Sequence, residues 1–292
     1  MANTQDIRRR IKSIRNTAQI TKAMQMVAAS KMRKAQQQAL AGRPYSELMN
    51  RVLVSLKGRT DPLLHPLLQV RPTRKELVLV ISTDKGLAGA LNTNLMREAA
   101  AFEAEKTVYV SAGRKARQFL ARAKRELLAD FELKDAPTIL ETKNISKFCV
   151  EKFLTQEVDK VTVLYTHFIN TINQKPIAQT LLPISEFVFR DATKDAAPSA
   201  SSAEPMLEYI IEPSPQMVLD FMLPYYVQYQ VYQMVLDARA SEHSARMVAM
   251  KNATDNANQF IKDLTLEYNK MRQASITTEL LEIATAQMAV GG

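Results

Sequence analysis

The sequence predicts an α/β head, built on a mostly parallel doubly wound sheet, joined to a long antiparallel coiled coil formed by its N- and C-terminal helices. Three observations carry that expectation. Residues 1–41 contain neither Gly nor Pro, and positions 7, 11, 14, 18, 21, 25, 28, 32, 35 and 39 alternate four and three apart, bearing Ile, Ile, Ile, Ala, Thr, Gln, Ala, Met, Ala and Ala. That is a heptad seam whose side chains shrink with distance from the start. At the other end, residues 225–290 also run without Gly or Pro, and positions 247, 250, 254, 257, 261, 264, 268, 271 and 275 form a second seam, seven of nine apolar. Between the two, short apolar runs alternate with helical stretches, as strands and crossover helices do.

Taken in order, residues 1–57 make the N-terminal helix, which Gly42 and Pro44 should bend or briefly interrupt. The head is expected over 73–214. ELVLVIS (76–82) reads as a buried strand, NTNLMREAAAFEAE (92–105) as a helix, and KTVYVSA (106–112) as a strand. GRKARQFLARAKRELLADF (113–131) then reads as one helix, a further helix is expected over 144–157, and strands over 160–169 and 177–185. DATKDAAPSASSAEP (191–205) is polar and rich in Ala, Ser and Pro, the composition of a mobile loop. The C-terminal helix is expected over 215–292. As one helix, the uninterrupted run alone would measure ~100 Å at 1.5 Å per residue.

Net positive charge is confined to one place. Residues 1–57 hold twelve Lys and Arg against two acids, Asp6 and Glu47, whereas the remaining 27 bases and 28 acids nearly cancel. The N-terminal segment therefore faces an acidic partner or solvent. No apolar run approaches the ~18 residues of a spanning helix, and the basic start lacks the apolar core of a secretory signal. The single cysteine, Cys149, leaves no internal disulfide and no cysteine-based zinc site.

Chemical motifs are few. STDKGLAGALN (82–92) lies between a strand and a helix, where phosphate loops occur. It lacks both the GK[ST] ending of a Walker loop and the third Gly of a dinucleotide fingerprint, so a tight packing turn is expected. His65, His167 and His243 are scattered, without a ligand partner at helical spacing, and His243 beside Glu242 reads as a surface residue. Cys149 sits among Ile145, Phe148, Val150 and Phe153, which suits a buried small hydrophobe rather than a nucleophile. No catalytic centre, cofactor or metal site is expected. A basic rod could bind nucleic acid or anionic lipid. Against this, residues 1–57 hold one aromatic, Tyr45, and their apolar face is already committed to the seam.

IRRRIKSIRNTAQITKAMQMVAASKMRKA (7–35), STDKGLAGALN (82–92), YIIEPSP (209–215) and the run from Ala240 to Ile283 resemble the signature segments of the γ-subunit family of F-type ATP synthases. The resemblance implies a central rotor shaft, without a catalytic site of its own, in a proton-translocating enzyme. Its terminal helices would form a coiled coil threading a ring of alternating α and β subunits, and its head would rest on the ε subunit and the membrane ring of c subunits. It further implies that Arg272 and Gln273 contact a loop of β, with Thr277, Glu279 and Glu282 in the same upper section. Met24 would lie close to β with Arg246 facing it from the other helix, and Tyr209 and Glu212 would form the foot on the c-ring and ε. The regulatory, cysteine-bearing insertion of chloroplast members is missing, so dithiol control is not expected. Membrane association would be indirect, on the cytoplasmic face of a bacterial inner membrane, with a processed organellar protein as the alternative.

The resemblance gives the stretch ITKAMQMVAASKMRKA (20–35) a physical reading. A shaft turning within a ring must avoid deep interdigitation, and Ala, Met, Ser and Thr present low, adaptable relief.

Overall fold

The computed structural model describes residues 4–57, 65–184, 212 and 214–290; the expected loop at 191–205 and the foot residue Tyr209 lie outside these. The chain divides into two units. One comprises residues 1–27 with 247–292, the other residues 28–246. Helix α1 runs Thr4–Ala41 and α2 runs Arg43–Lys57, with the break at Gly42. There the Tyr229 hydroxyl donates to the Gly42 carbonyl at 2.6 Å. A Cβ at Gly42 would fall 2.3 Å from the Tyr229 hydroxyl oxygen, so a larger residue there would displace that side chain.

The second unit holds the sheet. Strands β1 (Glu76–Ile81), β2 (Thr107–Ala112), β3 (Leu127–Phe131), β4 (Lys160–Phe168) and β5 (Gln174–Leu182) stand in the order β3-β2-β1-β4-β5. The first three pairings are parallel and β4–β5 is antiparallel. Alternate residues of each strand feed opposite cores. Leu77, Leu79, Val108, Val110, Val161 and Val163 pack with α2, with α5 (Ile139–Leu154) and with the first part of α6 (Pro215–Val290). Val78, Val80, Tyr109 and Leu164 pack beneath α3 (Leu91–Ala100) and α4 (Arg114–Arg122). Covering both faces is what makes the central strands read as unbroken apolar runs.

Four expectations about elements need correction, the first being the helix over 92–105: α3 ends at Ala100. Residues 113–131 are not one helix: α4 stops at Arg122 and β3 follows as an edge strand with alternating burial. The stop is a backbone event. Lys124 adopts a positive φ of 51°, and the Arg125 amide reaches back to the Leu120 carbonyl at 3.0 Å. This is the closure that usually employs glycine, so a sequence of good helix formers conceals it. Helix α5 begins at Ile139 rather than 144, and β5 begins at Gln174 rather than 177, with Pro176 tolerated because β5 lies at the sheet edge. Helix α6 starts at Pro215 and carries Pro224 inside it, where one backbone donor is absent.

In the first unit both seams pack inward. Ile7, Ala18 and Thr21 are buried and Ile11, Ile14 and Gln25 partly so, while every other residue from Gln5 to Val27 is exposed. On α6, Met250, Thr254 and Ala257 are buried and Ile261, Leu264, Tyr268 and Met271 partly so. The Thr21 and Thr254 hydroxyls meet at 2.7 Å. Counting antiparallel from that pair sets Ala18 against Ala257, Ile14 against Ile261, Ile7 against Tyr268 and Thr4 against Met271. Burial on both helices then ends together, which a parallel register would not give. The expected seam position Ser275 is exposed; it lies one turn beyond Met271, which the register sets against Thr4 at the start of α1.

Candidate functional site

Two places gather the residues that can act. In the first unit, residues 272–287 are exposed on every side as an unpaired continuation of α6. Arg272, Gln273, Thr277, Glu279 and Glu282 all lie on this segment. Their hydroxyls and carboxylates bond only locally: Thr277 donates to the Gln273 carbonyl at 2.9 Å, and Ser275 donates to Glu279 at 3.3 Å. Ile276, Leu280 and Ile283 form an apolar stripe between them, each about half or more exposed. A lone helix holding three large apolar side chains in water is stabilised only weakly by itself; its surface suits an external partner. Met24 lies on the outer face of α1 in the same unit, beside exposed Ile20 and Val27 one turn either way.

Arg246 belongs to the second unit, and its guanidinium is already engaged. It donates to Glu242 at 2.8 Å and lies 3.3 Å from the Gly86 carbonyl. Glu212 is exposed.

The second place was missed by sequence reasoning. Residues 234–244 of α6 are buried on every side, although they include Asp237, Arg239, Ser241, Glu242, His243 and Ser244. Arg239 donates to Glu242 at 2.7 Å, to Asp84 at 3.1 Å and to the Leu133 carbonyl at 2.9 Å. Burial opposes its charge, but Glu242 and Asp84 more than offset this and hold it protonated above the usual guanidinium value. Removing one partner of such a buried pair costs ~3–5 kcal/mol, because the other charge is left unpaired. Asp237 accepts from the Phe168 amide at 3.1 Å and pairs with His167 at 2.5 Å; burial still pushes its carboxyl above the ordinary aspartate value.

His243 is not at the surface as its neighbours suggest. It is buried, and burial, opposed by Glu242 and reinforced by Arg246, Lys31 and Arg239, holds its imidazole down at about 4. Cys149 behaves as read: burial pushes its thiol up to about 12, so it is an inert core group.

The turn STDKGLAGALN joins these parts. Ser82 accepts from the Ala116 amide at 2.8 Å and Asp84 from the Arg114 amide at 3.1 Å, so the end of β1 caps α4. The second Asp84 oxygen takes Arg239. Leu87 and Gly89 adopt φ of 62° and 59°, turning the chain into α3. The cavity left between this turn and α6 is about 10 Å³, lined by Ser82, Thr83, Thr166, Arg239 and Glu242 among others. That admits one water and no nucleotide. The turn is therefore a packing and capping device, as its missing phosphate-loop residues imply. The small residues Ala238, Ala240, Ser241 and Ser244 were the available signal, since they let neighbouring backbone approach α6 closely. No helix among the described residues is long and apolar enough to cross a membrane.

The chain matches the ATP synthase family over residues 3–290. It is 52% identical to the ATP synthase gamma chain of Methylacidiphilum infernorum, with both chains fully covered. It is 48% identical to that of Opitutus terrae, with 99% of each covered. Among solved structures it is similar to a chain of the Euglena gracilis mitochondrial ATP synthase OSCP/F1/c-ring complex, with a TM-score of 0.68 at 21% identity, covering 98% of this chain and 94% of that one. It also resembles a chain of the Tetrahymena thermophila central stalk and c-ring, with a TM-score of 0.60 at 24% identity, covering 80% and 99%. These last two likenesses concern the fold, while the family match and the full-length similarity to gamma chains show the family. The chain belongs to the ATP synthase gamma-chain family, the central-stalk subunit of the F-type enzyme.

Proposed function

We propose that the chain is the turning shaft of a proton-translocating F-type ATP synthase and carries no catalytic site of its own. The observation that carries this reading is the unpaired, wholly exposed run of α6 from Arg272 to Gln287, beyond an antiparallel helix pair of low relief. Such a segment gains most by entering a sleeve formed by other subunits. In this reading the sleeve is the ring of alternating α and β subunits, Arg272 and Gln273 touch a loop of β, and Thr277, Glu279 and Glu282 lie alongside them. Met24 touches β from α1, and Arg246, held by Glu242, contributes to the contact with β from α6. Tyr209 and Glu212 belong to the foot on ε and the c-ring. Attachment to the cytoplasmic face of a bacterial inner membrane is through the c-ring.

The mechanism follows from asymmetry. Basic residues crowd one helix of the pair, so a three-fold ring meets a different face at each catalytic subunit. Moving a two-state subunit from one extreme population to the other takes ~5.5 kcal/mol of differential contact. One exposed ion pair supplies ~0–1 kcal/mol, so several contacts must change together as the shaft turns.

The test is an affinity capture after nuclease treatment, followed by rate measurements. Retention of α and β is expected; loss of both once nucleic acid is digested refutes the reading. Arg272→Ala with Gln273→Ala should lower ATP hydrolysis and synthesis in the assembled complex by about tenfold, the effect of ~1.4 kcal/mol in a barrier. Unchanged rates remove these two residues from the contact.

A further inference from the structure

Open α/β sheets bind their ligands outside the carboxyl ends of the strands, where the strand order reverses. In the order β3-β2-β1-β4-β5 that point lies between β1 and β4. Here it is occupied by a helix of the same chain. Ser241 of α6 donates to the Thr166 carbonyl on β4 at 2.9 Å, and Asp237 takes the Phe168 amide at the end of β4. Arg239 reaches the Asp84 carboxylate just after β1 and the Leu133 carbonyl just after β3. One stretch of helix is thus tied to the ends of three strands.

Residues 234–244 are buried on every side, so burial alone favours no one face of α6 and sets its rotation only loosely. Hydrogen bonds do have direction, and the guanidinium is a rigid planar fork whose donors point along set lines. Its acceptors come from the turn after β1, from the chain after β3 and from the next turn of α6 itself. Rolling α6 about its axis breaks at least one of them.

We propose that Arg239 is a positioning residue that sets the angular registration of α6 on the sheet, so that twisting force on the helix reaches the sheet without slip. The inference rests on the shaft function above. It assigns the switch-point crevice a mechanical occupant in place of a nucleotide.

The test uses the assembled complex in sealed vesicles, with Arg239→Lys, which keeps charge without the fork, and Arg239→Met, which keeps length without donors. Measured are entry of the chain into the complex, ATP hydrolysis, and protons pumped per ATP hydrolysed. The variants should retain most of their hydrolysis while pumping per ATP falls by about fivefold in Arg239→Met, the low end of site-to-site coupling. Arg239→Lys should fall between it and the parent. An unchanged ratio in both variants overturns the proposal. Should Arg239→Met not assemble, Asp84→Asn decides by the same ratio, since it weakens one acceptor and leaves the Glu242 pair intact. Failure of the unaltered chain to join α and β would instead refute the shaft function, so the two failures are distinguishable.

Discussion

At the scale of single residues, burial rather than identity decides behaviour. His243 and His65 are both pulled below the usual imidazole value by burial, His243 to about 4. An unfolded histidine titrates near 6.5. Its folded value is lower, so between pH ~6.5 and ~4 the unfolded chain binds more protons. The stability linked to His243 is therefore complete above pH ~6.5 and is lost as the pH falls toward about 4, by up to ~3 kcal/mol. His243→Gln should flatten this limb of the thermal-unfolding curve against pH; an unaltered acid limb would show that His243 is not the titrating group. Lys31 and Asp135 make the contrasting case. They meet at 2.6 Å and lower the Asp135 carboxyl, yet both are about half exposed, so the pair contributes no more than ~1 kcal/mol.

At the scale of elements, the helix pair is specified by its seam, and one polar contact marks its register. Each hydroxyl also reaches back to its own helix, Thr254 to the Met250 carbonyl at 2.8 Å and Thr21 to the Ala18 carbonyl at 3.1 Å. Thr21→Val should cost ~1 kcal/mol in urea unfolding, because it leaves a buried hydroxyl short of a partner. Thr21→Val with Thr254→Val should cost less than the two single changes summed, by ~0.5–1 kcal/mol, since two valines pack in the seam with nothing unsatisfied. Strict additivity would mean that the hydroxyls do not interact. The sheet shows the opposite economy: its central strands are written plainly in apolar runs, whereas the edge strand β3, with Leu128 and Asp130 turned outward, is not.

At the scale of the whole molecule, two units with separate cores share two helices. Replacing Asn256 and Ala257 with consecutive prolines should break α6 within the first unit, at ~3 kcal/mol or more per proline. Limited proteolysis should then cut residues 247–292 quickly while the unit of residues 28–246 resists, and the variant should fail to enter the complex. Normal assembly would show that continuous helix is unnecessary there, and loss of resistance in both units would show that they fold as one.

The sequence alone determined the two seams, their antiparallel partnership, the break at Gly42 and the parallel-dominated sheet, because periodicity and runs of apolar residues are local properties of a chain. It also determined that all the net positive charge lies near the N-terminus. Only the tertiary structure decided that Asp237, Arg239 and His243 are interior, that Asp84 caps one helix while holding another, and that the crevice of the sheet is filled. Polar residues carry no mark of burial in sequence. They become interior only when partners from β1, β3 and β4, distant along the chain, supply hydrogen bonds in place of water.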